Sequence, residues 1–270
     1  MVEQIVSSRK QPDGEGKLVG ITPAQAGGNY VGFEVYSLRK GQTWTRKMEE
    51  MEACVVLLSG LADAATSRLV LDRIGGRMSI FEGTPPYSVY VPSYDTVTIT
   101  ARTDLEFAVC LAPGRGDYPA RLIAPEEVGV EIRGYGNMER RIHNILPEQK
   151  EAGSLLVVEV FTPGGHWSSY PPHKHDKDDL PHESYLEETY YHRINPAHGF
   201  ALQRIYTEDR SLDEAMAVKD GDVVLVPRGY HPVSAPPGYD VYYLNVMAGP
   251  VRTWKFRNDP DHEWLIARGK

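Results

Sequence analysis

Gly221-Asp222-Val223-Val224-Leu225-Val226-Pro227-Arg228-Gly229-Tyr230-His231 is the stretch on which the fold turns. Gly221-Asp222 reads as a tight turn, because glycine tolerates positive φ and aspartate bonds to nearby backbone. Val223 to Val226 reads as a buried strand, and Pro227 ends it, since proline cannot donate to a sheet ladder. Gly229 permits a second turn. His231 then stands at the start of the next strand, where it can face other ligands across a β-barrel.

Upstream, His173-Lys174-His175 places two imidazoles two residues apart. On a strand, residues i and i+2 share a face, so both rings can reach one ion. Pro171 and Pro172 stiffen the approach. The chain holds nine histidines, none before His143, and four of them fall between His173 and His192. Histidine is the commonest metal ligand and the usual proton carrier near neutral pH. The chemistry is therefore expected in the C-terminal half.

Further out, short strand-like segments dominate: Gly32 to Leu38, Ala53 to Leu58, Ser88 to Val91 and Glu106 to Leu111, then Ser154 to Thr162, Glu188 to Ile194, Phe200 to Tyr206, Asp222 to Val226 and Val241 to Met247. Ala112 to Glu126 reads as a surface connection. Pro23 to Ala26 and Leu212 to Met216 carry at most a turn or two of helix. With 25 Gly and 20 Pro spread among periodic segments, the chain is a turn-rich β protein. Glu34-Val35-Tyr36-Ser37 with Gly41 and Trp44 parallels Glu159-Val160-Phe161-Thr162 with Gly165 and Trp167. Val89-Tyr90-Val91-Pro92 parallels Val224-Leu225-Val226-Pro227. The shared order predicts an internal duplication, two similar β-barrels in tandem.

The 270 residues allow one large or two ordinary domains, and 41% hydrophobic residues allow a core. A net charge of −8 argues against nucleic acid and anionic membrane as partners. An anionic small substrate would need a local cationic pocket. Met1 to Lys10 lacks the apolar core of a signal peptide, and no apolar run is long enough to span a bilayer. Cys54 and Cys110 read as buried, reduced thiols, so a cytoplasmic protein is expected.

The block Gly-Asp-x4-Pro-x-Gly-x-His after an HxH pair resembles the cupins, with one residue fewer between Gly229 and His231 than is usual there. The longer series His173-Lys174-His175-Asp176, Glu188-Thr189-Tyr190-Tyr191, Gln203-Arg204-Ile205-Tyr206, Gly229-Tyr230-His231-Pro232 and Tyr242 to Gly249 is similar to the KduI/IolB isomerases of that superfamily. These motifs cover about residues 155 to 265. The resemblance implies an all-β bicupin, two tandem jelly-roll barrels with few short helices. Residues 1–145 would form a degenerate barrel without metal, and 146–270 the catalytic one.

The resemblance also implies a divalent ion held by His173, His175, His231 and a carboxylate. Cupin spacing points to Asp179 or Leu180, but a longer acidic segment, Asp176 to Leu186, precedes Glu187 and Glu188. Only one of these adjacent glutamates can face the ion. The Glu-Thr-Tyr order favours Glu188, with Glu187, Asp179 and Glu183 as alternatives. Zinc is expected first, manganese or iron next.

The implied reaction interconverts 5-deoxy-D-glucuronate and 2-deoxy-5-keto-D-gluconate in myo-inositol breakdown, with an ion stabilising the enediolate or assisting a hydride shift. The partner is then a small anionic sugar acid. Glu187, Tyr243 and His192 are candidate catalytic groups, beside Glu188, His182, Tyr185 and Tyr190. Arg204 is the expected carboxylate clamp, with Gln203, Tyr206 and Lys174 as further substrate contacts. Alternation makes it improbable that Gln203 and Arg204 both line one pocket. His143 is expected at the surface, like His166, His198 and His262. The alternatives are a dioxygenase with the same three-histidine, one-glutamate centre, a related uronate ketol-isomerase, and a non-enzymatic sugar-binding bicupin.

In the N-terminal half, Thr96 falls near the place of His231, and Glu52-Ala53-Cys54 is read against Glu188-Thr189-Tyr190. Without histidine, this half is expected to cover the other barrel or to form the contact of a homo-oligomer.

Overall fold

The computed structural model describes residues 4–114 and 118–267, so Met1 to Glu3 and part of the Ala112 to Glu126 connection lie outside the described residues. Two antiparallel sheets form each barrel. In the N-terminal barrel the larger sheet runs Arg121–Ile123, Ser88–Val91, Met51–Ser59, Leu105–Pro113, Gly32–Leu38, Lys17–Ile21. In the C-terminal barrel it runs Ile5–Ser7, Asp222–Val226, Glu187–Asn195, Asp240–Ala248, Leu156–Thr162, Arg140–Leu146, with Gly129–Arg133 added at the far edge. The smaller sheets run Thr43–Lys47, Thr96–Ala101, Leu61–Ala65, Val70–Gly75, and Trp167–Ser168, Val233–Ser234, Phe200–Tyr206, Asp213–Lys219. Strand for strand, the two orders match, as a duplication requires.

The two units trade edge strands. Ile5–Ser7 leads into the first strand of the N-terminal barrel, yet it pairs with Asp222–Val226 of the other. Arg121–Ile123 leads toward the C-terminal barrel, yet it pairs with Ser88–Val91 of the first. Sheet membership therefore changes between Ile123 and Gly129, not at residue 145, and the N-terminal arm belongs to the second barrel. Each arm covers the hydrogen-bonding edge that its partner would otherwise expose.

Burial on both faces explains why the central strands read as unbroken apolar runs. Val224 and Val226 point into the C-terminal barrel with Tyr190, Tyr243 and Met247. Val223 and Leu225 point the other way, into a layer shared with Phe33, Cys54, Cys110 and Tyr242. The large sheets thus pack face to face, and the N-terminal barrel covers the outer wall of the other. Its own interior is filled by Tyr36, Trp44 and Phe107, with ring centres 5.1–5.4 Å apart.

A matched pair of charges is buried between the barrels. Arg77 donates to both oxygens of Glu159, at 2.8 and 2.9 Å, and Tyr242 donates to the same carboxylate at 2.9 Å. His143 Nδ1 lies 2.7 Å from it. His143, expected at the surface, is fully buried because Glu159 gives it a partner. Leu212 to Met216 is also not helical. Asp213–Lys219 is an edge strand whose alternating exposure the helix reading missed. No helix among the described residues is long and apolar enough to cross a membrane.

Candidate metal centre and its cavity

Three elements bring the imidazoles together. His173 and Lys174 form a short strand that pairs with Arg257–Asn258, and His175 follows directly after it. His231 follows the Gly229 turn, where φ is +92° and a Cβ would lie 2.5 Å from the Tyr206 carbonyl oxygen. One ring nitrogen from each of His173, His175 and His231 lies within 4.8 Å of the others. Glu188, near the start of Glu187–Asn195, places Oε2 at 3.2 Å from His175 Nε2 and 3.1 Å from His231 Nε2.

The surroundings fit this donor set to a cation. His175 Nδ1 is held by the Leu186 carbonyl at 3.0 Å, and His231 Nδ1 by the Gly229 carbonyl at 2.8 Å. Both rings are thereby set to direct an Nε2 lone pair at the centre. Asn245 Nδ2 donates to Glu188 Oε1 at 2.7 Å and fixes the carboxylate. Burial and the other two imidazoles push His173 well below its ordinary pKa, toward the neutral form that binds metal. Burial opposes ionisation of Glu188, but His231 and His175 hold its carboxyl far below the usual range. Burial opposes protonation of His175, but Glu188 raises it above its ordinary pKa, so a divalent ion would bind these three imidazoles and the carboxylate in competition with a proton.

His173 is only partly buried, and its ring opens onto a cleft of about 420 Å³. That volume suits a small ligand. The cleft adjoins an inner cavity of about 30 Å³, and the two share Arg133, Arg140 and His173. Glu188, Tyr190, Tyr243, Asn245 and Ser169 line the inner cavity. Ser169 Oγ and the Tyr190 hydroxyl are 3.0 Å apart. Burial pushes the Tyr190 and Tyr243 phenols up, so both keep their protons near neutral pH. A wider cleft of about 520 Å³ near Glu127 and Lys150 has no histidine in its lining.

Among the expected residues, His173, His175, His231, Glu188, Tyr190 and Tyr243 meet here. The others do not. Glu187 points to the opposite face and accepts the backbone N–H groups of Asn29, Tyr30 and Val31 at 2.7, 2.7 and 3.2 Å. Lys174 alternates away from both histidines and is buried against Glu183 and Asp176. Arg204 is on the outer face, in a bidentate pair with Asp213 at 2.7 Å on each arm. Tyr206 donates to Asp259 at 2.7 Å. Gln203 faces inward, but its amide oxygen meets His192 Nε2 at 2.9 Å, and neither residue lines the cavity. Of the alternative ligands, Asp179 is exposed and Glu183 is taken by Lys174. The acidic segment is a small hairpin, Asp176–Asp179 with Glu183–Tyr185.

Both arginines of the cavity escaped the sequence reading. Arg133 and Arg140 precede residue 145 and so fell in the half thought to be without chemistry. The available signal was the i, i+2 spacing of Arg140 and apolar Ile142, which face inward while Arg141 between them is exposed. Register also revises the N-terminal parallel. Ala53 lies opposite Val91 as Glu188 lies opposite Val226, so Ala53 replaces the carboxylate ligand and Glu52 matches Glu187.

The model of the KduI/IolB family matches residues 5–265. A 5-deoxy-glucuronate isomerase of Geobacillus thermodenitrificans is 68% identical over 265 residues, 98% of this chain and 97% of that protein. The crystal structure of an IolB-like protein from Salmonella typhimurium is 53% identical, with a TM-score of 0.95 over 98% of this chain and 99% of that one. The oxalate decarboxylase of Lactobacillus farciminis, 12% identical over 99% of this chain and 91% of that one, has a TM-score of 0.66 and shares the bicupin fold alone.

Proposed function

The chain belongs to the KduI/IolB family, and from that premise we propose that it interconverts 5-deoxy-D-glucuronate and 2-deoxy-5-keto-D-gluconate. We assign this reaction to myo-inositol breakdown, a reading that the likeness to the KduI/IolB family supports. Convergence of His173, His175 and His231 on Glu188, beside an open cleft, is the observation that carries the chemistry. The full-length likeness to 5-deoxy-glucuronate isomerases carries the choice of substrate.

The reaction takes a proton from the hydroxyl-bearing carbon beside the aldehyde and returns one to the aldehyde carbon. His173, His175, His231 and Glu188 would hold a divalent ion, which would supply Lewis-acid polarisation of the substrate's oxygens without redox change. The set suits zinc first, and manganese or iron next. Tyr190 and Tyr243 present protonated phenols to the inner cavity. They can donate to the substrate's oxygens as charge develops there. Ser169 orients the Tyr190 hydroxyl, and Asn245 keeps the carboxylate of Glu188 turned to the imidazoles. Ile142, Val158 and Val160 add an apolar wall to the inner cavity.

We place the protein in the cytoplasm, a reading supported by Cys54 and Cys110. These face each other across adjacent strands and are free thiols. Burial pushes the Cys54 thiol up to about 12, so it is inert.

The deciding experiment is an assay of purified protein with 5-deoxy-D-glucuronate, before and after chelation, with zinc, manganese and iron added back singly. Interconversion that is lost on chelation and restored by one of the ions is expected. No interconversion with any ion would overturn the proposal.

A further inference from the structure

We infer that Arg140 receives the carboxylate of the substrate and sets the preference for a sugar acid over a neutral sugar of the same chain. This deepens the isomerase reading and rests on it. Arg140 is 8% exposed and lines both the outer cleft and the inner cavity. Its Nη1 donates to the carbonyls of Met138 and Tyr170 at 3.0 and 3.1 Å. These two bonds fix the guanidinium but leave its charge unmatched, since no carboxylate forms a salt bridge with it among the described residues. Gly134 makes room for it, because a Cβ there would stand 2.8 Å from Nη1.

A buried cation without a counter-ion is costly to keep. The chain shows the contrast elsewhere: Arg77, equally buried, is fully matched by Glu159. Three other candidate cations already have acidic partners. Lys174 is held by Glu183 and Asp176, Arg204 by Asp213, and Arg133, partly exposed, by Glu131. Arg140 and His173 line the same cleft and the same inner cavity. A short sugar acid whose aldehyde end meets the histidines therefore finds a cation for its other end in the same cleft. Guanidinium nitrogens Nε and Nη2, which have no hydrogen bond to protein among the described residues, suit a two-oxygen anion.

The test compares wild type with Arg140→Gln, which can keep a bond to the two carbonyls, and Arg140→Lys, which keeps the charge. The substrates are 5-deoxy-D-glucuronate and 5-deoxy-D-glucose, with metal content and melting temperature measured on each protein. Arg140→Gln should raise KM for the acid by about 30-fold with a much smaller change in kcat, and change the neutral sugar far less. Arg140→Lys should recover part of the loss. An equal loss on both substrates, or an unchanged KM for the acid, overturns the inference.

A second readout does not need turnover. Metal-free wild type titrated calorimetrically should bind D-glucuronate at least about tenfold more tightly than D-glucose, and Arg140→Gln should lose that difference. Wild type that binds both alike also overturns the inference. Failure of wild type to convert 5-deoxy-D-glucuronate sinks the isomerase reading separately, and the titration still decides whether Arg140 reads a carboxylate.

Discussion

Glu52 and Glu187 hold the same position in the two barrels, and each closes its carboxylate over a backbone loop of the other barrel. Glu187 accepts the N–H groups of Asn29, Tyr30 and Val31, just before strand Gly32–Leu38. Glu52 accepts those of Gly153, Ser154 and Leu155 at 2.7–2.8 Å, just before Leu156–Thr162. Glycine meets each carboxylate: a Cβ at Gly28 would lie 2.2 Å from the Glu187 carboxyl carbon, and one at Gly153 2.8 Å from Glu52 Oε2. With the exchanged edge strands, these paired latches bind the two units into one body.

Glu187→Gln is therefore expected to destabilise the protein without emptying the metal centre. Losing the charge on an acceptor of three N–H groups costs about 2–4 kcal/mol, since hydrogen bonds to charged groups are the stronger kind. Urea denaturation should show the loss, while metal content per chain stays that of wild type. A variant that melts normally but loses turnover would return Glu187 to the catalytic machinery.

His175→Ala and Glu188→Gln should lose both bound metal and activity, because each removes one of four converging donors. His262→Ala should keep both, since His262 lies beside Asp259 at 4.0 Å, outside the ligand cluster. Metal analysis of the three purified variants decides this, and identical behaviour would refute the ligand assignment.

Arg204→Ala should leave KM for the sugar acid unchanged and cost less than about 1 kcal/mol of stability, as exposed ion pairs do. Its partner Asp213 is on an edge strand in solvent. A steady-state assay in which KM rose tenfold would put Arg204 back at the substrate.

Acid should weaken the fold through His192. Burial, partly offset by its bond to Gln203, pushes its pKa down to about 4. An unfolded histidine titrates near 6.5. Between these values the unfolded chain binds a proton that the folded chain refuses, so stability held in full above about pH 6.5 declines toward pH 4. The full difference is on the order of 3 kcal/mol. Denaturation of wild type and His192→Gln at pH 7 and pH 4.5 should show a smaller acid loss in the variant. Equal losses would remove His192 from the explanation.

Arg77→Met should cost about 3–5 kcal/mol, because it strands Glu159 as a buried charge with only His143 and Tyr242 as partners. The double change Arg77→Met with Glu159→Leu should recover much of it. A double variant no more stable than the single one would show that packing, not charge, holds the two barrels there.

Local patterns made much of this protein legible. Turn residues around Val223–Val226 bounded a strand, and period-two spacing put His173 and His175 on one face. Repeated Glu-Val and Val-Pro blocks announced the duplication that the matched strand orders display. Such signals are written in neighbouring residues, so one sequence carries them. The acidic ligand was harder, since Glu187 and Glu188 differ only in which face of the strand they occupy, and residues 176–186 fold into a hairpin that upsets simple spacing.

Tertiary structure alone decided the rest. Arg204 looked like a clamp until strand Asp213–Lys219 set an aspartate beside it, and His143 looked exposed until Glu159 and Arg77 closed around it. Arg140 reached the cavity because its strand crosses into the second barrel's sheet. A side chain's charge and reach belong to the residue, but its partner and its solvent are supplied by segments far away in the chain. Which buried charges are matched, and which one is left for a ligand, is therefore settled only when the sheets close.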